Sequence, residues 1–262
     1  MITLLFTLLS FQHPETMSLL EKPLYAPRLS SAERNNREAA LAAARAAYGR
    51  APASVDAAIA LARAQMALGH VGDALEVLTR AVENQPDDPR LLLERGRGLV
   101  VIRKFEHAAR ELRKPAETLP DASCALGIAQ YLAADYPHAR EAFSKCPDPG
   151  VFAYLSEWRT GPSAMPKPNV SRQPGPDPAA PIRLPGAATK PGPATRIPLA
   201  AIYLDAAQDL IDGKTAAAKD LLKQIVEKYG NDWIDPVYIA AEADYAKILK
   251  TEGKKRKPQK KR

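Results

Sequence analysis

Residues 55–88 read VDAAIALARAQMALGHVGDALEVLTRAVENQPDD. Apolar residues return every three to four positions on either side of Gly69, the spacing of two helices that each bury one face. Leu61 and Ala62 mark the buried stripe of the first helix, Gly69 the turn, Ala74, Leu78 and Ala81 the stripe of the second, and Pro86 the end. The pattern repeats. Pro52, Pro86 and Pro120 stand 34 residues apart, and Ala40, Ala74 and Ala108 keep the same step. A period of 34 in an alanine- and leucine-rich chain marks an array of helical hairpins. A single hairpin cannot bury its apolar face alone, so stacking on a neighbour is written into the sequence.

Composition agrees. The chain has 262 residues, 46% apolar but only 6% aromatic, so its core is built mainly from Ala, Leu and Val, as suits closely packed helices. The formal net charge is +7, yet seven of the 37 Lys and Arg residues are Lys254, Lys255, Arg256, Lys257, Lys260, Lys261 and Arg262. The rest balance the 30 acidic residues, so the body is neutral and the basic character belongs to the tail.

Five regions follow. Residues 1–30 open with an apolar run, Ile2 to Phe11, too short to span a bilayer, which needs ~20 residues, but of secretory h-region length, ~7–15. No Lys or Arg precedes it and no small-x-small cleavage site follows, so docking on the helices stands as the alternative to export. Pro14, Pro23 and Pro27 make the remainder extended. Residues 31–160 carry the helical repeats, with Ser30 or Ser31 capping the first helix, about 32–48. Pro115 ends or kinks a helix near Lys114. Residues 161–198 hold eleven prolines and form a linker, polyproline-like or disordered. Residues 199–251 return to helix as a hairpin turning at Gly213 plus a capping helix from Pro236, and 252–262 form the basic tail.

This pattern resembles the tetratricopeptide repeat family, in which a small residue opens the packing face of the second helix and a proline closes each unit. The next units show Gly96, Leu99, Phe105, Ala108 and Leu112, then Leu126, Gly127, Tyr136, Ala139 and Phe143. Ala139 follows Ala108 by 31 residues, so one unit is three residues short. The resemblance implies an all-α, right-handed solenoid of helical hairpins, without catalysis, that binds a protein or peptide in its concave groove. It also implies which first-helix positions face that groove: Ile59, Arg63 and Met66; Arg90, Leu93, Glu94, Arg97 and Val101; Cys124, Ile128 and Tyr131. Arg63 and Arg97 are 34 apart and stack as neighbours. They are either solvated or paired with Glu94, or they hold a carboxylate of the partner. The alanine- and arginine-rich composition with a signal-like start points to a bacterial exported protein, periplasmic or membrane-associated, with a cytoplasmic chain as the alternative.

Cys124 and Cys146 lie near each other across one hairpin. A disulfide requires export, and free thiols acting as small core residues are the favoured reading. The histidines His13, His70, His107 and His138 form no metal motif, and no nucleophile–base pair or phosphate loop occurs, so neither cofactor, metal nor small-molecule substrate is expected. The tail, Lys254 to Arg262, offers a salt-sensitive attraction to an anionic membrane surface or nucleic acid, as the alternative route to a partner.

Overall fold

A computed structural model of the chain describes residues 13–161 and 199–256; the apolar run 2–11, nearly all of the proline-rich stretch and the tail from Lys257 lie outside the described residues. The prolines of the N-terminal segment exclude helix, and the chain there forms a two-strand antiparallel hairpin, β1 (Thr16–Met17) against β2 (Pro23–Leu24). Ser30 then caps α1 (Ser31–Arg50): its hydroxyl accepts from the Glu33 N–H while the Glu33 carboxylate accepts from the Ser30 N–H, a reciprocal capping box. The helix passes through Gly49, two residues beyond the expected stop.

Three hairpins and a single helix follow. The first is α2 (Val55–Leu68) with α3 (Val71–Asn84), the second α4 (Pro89–Val101) with α5 (Phe105–Leu112), the third α6 (Pro120–Leu132) with α7 (Tyr136–Ser144), and α8 (Gly150–Thr160) comes next. Ser54 caps α2 and Asp88 caps α4, and proline fills the first turn of α4 and α6, where its missing N–H costs nothing. Pro115 does end its helix. α5 stops at Leu112, and a 3-10 turn, Pro115–Glu117, carries the chain to α6. Beyond the proline-rich stretch come α9 (Leu199–Ile211), α10 (Thr215–Lys228) and α11 (Pro236–Arg256), the last reaching five residues into the expected tail.

Small residues control how the hairpins nest. Ala62, Gly96 and Gly127 occupy equivalent points of α2, α4 and α6. A Cβ on Gly96 would lie 2.6 Å from Leu112 Cδ2, and one on Gly127 would lie 2.7 Å from Phe143 Cε1, so each pair of helices closes over a missing side chain. Ala74, Ala108 and Ala139 are fully buried at the facing points of the second helices. Each first helix also touches the next, α2 with α4, α4 with α6 and α6 with α8, while the second helices do not reach one another to a similar extent. Between α3 and α5 a cleft of ≈ 570 Å³ opens instead, lined by Leu75, Thr79, Leu99, Ile102 and charged residues of α5. The array therefore curves with its first helices on the inside. The architecture is the all-α solenoid of tetratricopeptide-like hairpins, and among the described residues the only strands are β1 and β2.

Cys124 at the start of α6 and Cys146 just past α7 are joined as a disulfide, with Cα atoms 4.8 Å apart, in place of the free thiols favoured from sequence. The bond ties the two ends of the third hairpin. Replacing Gly127 by Ala forces a methyl against the Phe143 ring; overpacking of this kind costs about 1–3 kcal/mol. Urea denaturation of Gly127→Ala should show that loss, and Gly161→Ala, whose Cβ meets nothing, should show none.

Candidate functional site

The inner face of the solenoid is divided into a filled part and an open part. Its far half is filled by the chain itself. α11 lies against α4 and α6, and α9 against α8, so Val101, Ile128 and Tyr131 belong to one continuous core with Tyr203, Trp233, Tyr238 and Ile239.

Two buried ion pairs hold this docking. Glu242 of α11 receives Nε and Nη2 of Arg103, at 3.0 and 2.7 Å, with side-chain exposures of 0% and 3%. Arg103 stands in the turn between α4 and α5 with φ 64°, the left-handed conformation that Gly69 adopts in the preceding hairpin with φ 87°. A non-glycine residue there is strained by order 1 kcal/mol or more, so the surroundings must hold it. Its guanidinium also reaches the Val101 carbonyl and sits 5.6 Å from the Trp233 ring centroid. Burial draws the Arg103 guanidinium below its usual range, and Glu242 opposes that shift. One residue pair further along, Asp244 accepts from Arg159 of α8 and from the Tyr203 hydroxyl at 2.9 Å. Tyr203 in turn lies 3.0 Å from the Tyr131 hydroxyl, and burial pushes both hydroxyls up, so they remain donors.

The N-terminal segment straps the same edge. Leu19 N–H donates to the other Glu242 oxygen at 3.0 Å, Trp233 Nε1 donates to the Tyr25 carbonyl at 2.7 Å, and Asn231 makes two hydrogen bonds to the Arg28 backbone. Pro27 passes over Gly69 so closely that a Cβ there would lie 2.3 Å from Pro27 Cδ.

The near half stays open. A hollow of ≈ 520 Å³ is lined by Asp56, Ile59, Ala60 and Arg63 of α2, Arg90, Leu93 and Glu94 of α4, and Leu119, Pro120 and Asp121 at the start of α6. Ile59 and Leu93 give it an apolar floor. Arg90 stands at the rim, bonded to Asp56 at 2.7 Å and to Asp88 at 2.9 Å. In the wall, Oε1 of the buried Glu94 accepts from both Arg63 Nη2 and Arg97 Nη1, each at 2.8 Å. Three polar atoms of this cluster, Arg63 Nε, Glu94 Oε2 and Arg97 Nε, are buried without a hydrogen-bond partner among the described residues.

Ile59, Arg63, Arg90 and Leu93 thus come together at one hollow, as the groove positions inferred from sequence require. Met66, Val101, Ile128 and Tyr131 do not line it: Met66 packs near Gly98, and the others lie beneath the C-terminal helices. Arg63 and Arg97 are not open guanidinium groups awaiting a carboxylate; Glu94 already engages both. Cys124 is taken by the disulfide. Of the basic tail, Lys254 is an exposed residue of α11, Lys255 and Arg256 continue the helix, and Lys257, Lys260, Lys261 and Arg262 fall outside the described residues. Sequence reasoning missed Arg103, Arg159, Glu242 and Asp244. The available signal was the pair of acids interrupting the apolar run Val237–Ala241 and Tyr245–Ala246, and an arginine standing one period after a turn glycine.

Among the described residues no group of three or more His, Cys, Asp or Glu side chains is disposed to hold a metal ion, and no helix is long and apolar enough to cross a membrane.

Residues 32–94 match the tetratricopeptide repeat family model. That span covers nearly all of α1, both helices of the first hairpin and the start of α4, including Ile59, Arg63, Arg90 and Leu93. Repeats of this family generally mediate protein–protein interaction and are typically non-catalytic. No curated protein and no solved structure matches the chain.

Glu242→Leu leaves the Arg103 charge buried and unpaired, which costs about 3–5 kcal/mol. The double variant Arg103→Met, Glu242→Leu should cost less than the sum of the single changes in a urea double-mutant cycle. At the rim, burial raises the Asp88 carboxyl, but its bonds from Arg90 outweigh this and hold it below its ordinary value. A depressed folded pKa means stability present above the unfolded value of about 3.9 and lost as pH falls through the folded one. Asp88→Asn keeps the helix cap and should flatten that part of the acid-denaturation profile.

Proposed function

We propose that the chain is a non-enzymatic interaction scaffold whose open hollow between α2, α4 and the start of α6 binds a segment of a partner protein. The observation that carries this reading is the contrast between the two halves of the inner face. Helices of the same chain fill one half, while the other keeps an apolar floor, Ile59 and Leu93, framed by the charged groups Asp56, Arg63, Arg90 and Asp121. An apolar hollow with a polar rim is the arrangement that seats one anchoring side chain and orients the segment around it. The hollow lies on the first helices, and its lining residues from α2 and α4, Asp56 to Glu94, fall within the span matching an interaction repeat, which supports the same conclusion.

The Cys124–Cys146 disulfide and the apolar run Ile2 to Phe11 together support an exported location, since such bonds persist in oxidising compartments. Under this reading the basic tail adds at most a salt-sensitive attraction to anionic surfaces.

Ala60 is exposed at the hollow, so Ala60→Trp fills it without disturbing the core. A photo-crosslinker placed at Asp121 should capture a protein partner, and Ala60→Trp should lower the yield about tenfold, equivalent to about 1.4 kcal/mol. Deleting residues 257–262 should leave the yield unchanged; the reverse pattern would transfer binding to the tail.

A further inference from the structure

The side-on edge of an arginine, Nε with Nη2, presents two parallel N–H donors that match the two oxygens of a carboxylate. Between Arg63 and Glu94 only one of the two rungs is made. Arg63 Nη2 donates to Glu94 Oε1 at 2.8 Å, the oxygen shared with Arg97, while Arg63 Nε and Glu94 Oε2 have no partner among the described residues. The open rung leaves a donor and an acceptor unused on adjacent groups in the wall of the hollow. Glu94 is 1% exposed, and a buried polar atom left unsatisfied is destabilising.

We infer that this half-made pair is a subsite for the side-chain carboxamide of an Asn or Gln in the bound segment, an assignment that rests on the hollow binding a peptide. A carboxamide supplies both missing partners from two separate atoms: its N–H donates to Glu94 Oε2 and its carbonyl accepts from Arg63 Nε–H. A ligand carboxylate offers no donor and stands against Glu94. An ammonium offers no acceptor and stands against Arg63 and Arg97. The neutral amide enters without a buried charge to compensate. Both unused atoms are buried, so a ligand side chain reaches them only when the Arg63 side chain shifts. Arg63, with 30% of its side chain exposed against 11% for Arg97, is the part of the wall free to move aside as the amide enters.

The test uses the full chain and terminally blocked eight-residue peptides of alternating Leu and Ala with one central position varied. Binding is followed by NMR, including the Nε–H signal of Arg63. Peptides with central Gln or Asn should bind about tenfold tighter than those with Glu, Asp or Lys, the worth of a hydrogen-bonded pair left unmade. They should also shift the Arg63 Nε–H signal. In Arg63→Leu, checked for folding by its thermal midpoint, the preference should fall to within about twofold. If peptides move the α2 and α4 signals but favour Glu or Lys, show no preference, or keep the amide preference in Arg63→Leu, the subsite is wrong while the hollow stands as a binding site. If no peptide moves those signals, both fail.

Discussion

One carboxylate organises this molecule. Glu242 projects from the last helix into the turn between α4 and α5, and there it meets the Arg103 guanidinium on one oxygen and the Leu19 N–H on the other. Three distant parts of the chain are joined at a carboxylate that is itself fully buried. As a source of net stability a buried ion pair is weak, because removing two charges from water offsets most of their attraction. Its contribution is positional. Burial of Tyr238, Ile239 and Ala240 is driven by a non-directional effect, whereas a buried charge needs its one compensating partner within hydrogen-bond reach.

That position decides which part of the groove is left for others. With α11 held at the Arg103 turn, Asp244 falls beside Arg159, and the Tyr131–Tyr203 hydroxyl pair closes the network. The end of α4 at Val101 and the face of α6 at Ile128 and Tyr131 become interior, and the open hollow is confined to α2, the first part of α4 and the start of α6. The curvature that makes a hollow there comes from the small residues Ala62, Gly96 and Gly127, which let hairpins close tightly so that the first helices crowd together inside while the second helices diverge outside.

Arginine meets a buried carboxylate in both halves of the inner face. In the filled half, Glu242 and Asp244 find donors from other parts of the chain, while Arg159 Nε has no hydrogen-bond partner among the described residues. In the open half, Arg63 Nε and Glu94 Oε2 are left the same way, on residues that line the hollow. Position beside the open hollow, and not the unmade bond alone, sets the second pair apart.

Much was legible in the residues alone, because local rules govern it. The 34-residue step of Pro52, Pro86 and Pro120, the turn at Gly69 and the break at Pro115 follow from backbone sterics, which act within a few residues and need no knowledge of the fold. Ile59, Arg63, Arg90 and Leu93, which the family resemblance assigns to the groove face, line one hollow. The burial of Val101, Ile128 and Tyr131 was not legible, since whether a helix face is open depends on what docks there. That docking is set by contacts such as Arg103 with Glu242, 139 residues apart, across a stretch whose composition carries no register. The sequence by itself determined the hairpins and their spacing. Only the tertiary structure decided how much of the inner face remains free, because long-range charge pairing is a property of the packed chain and not of any segment of it.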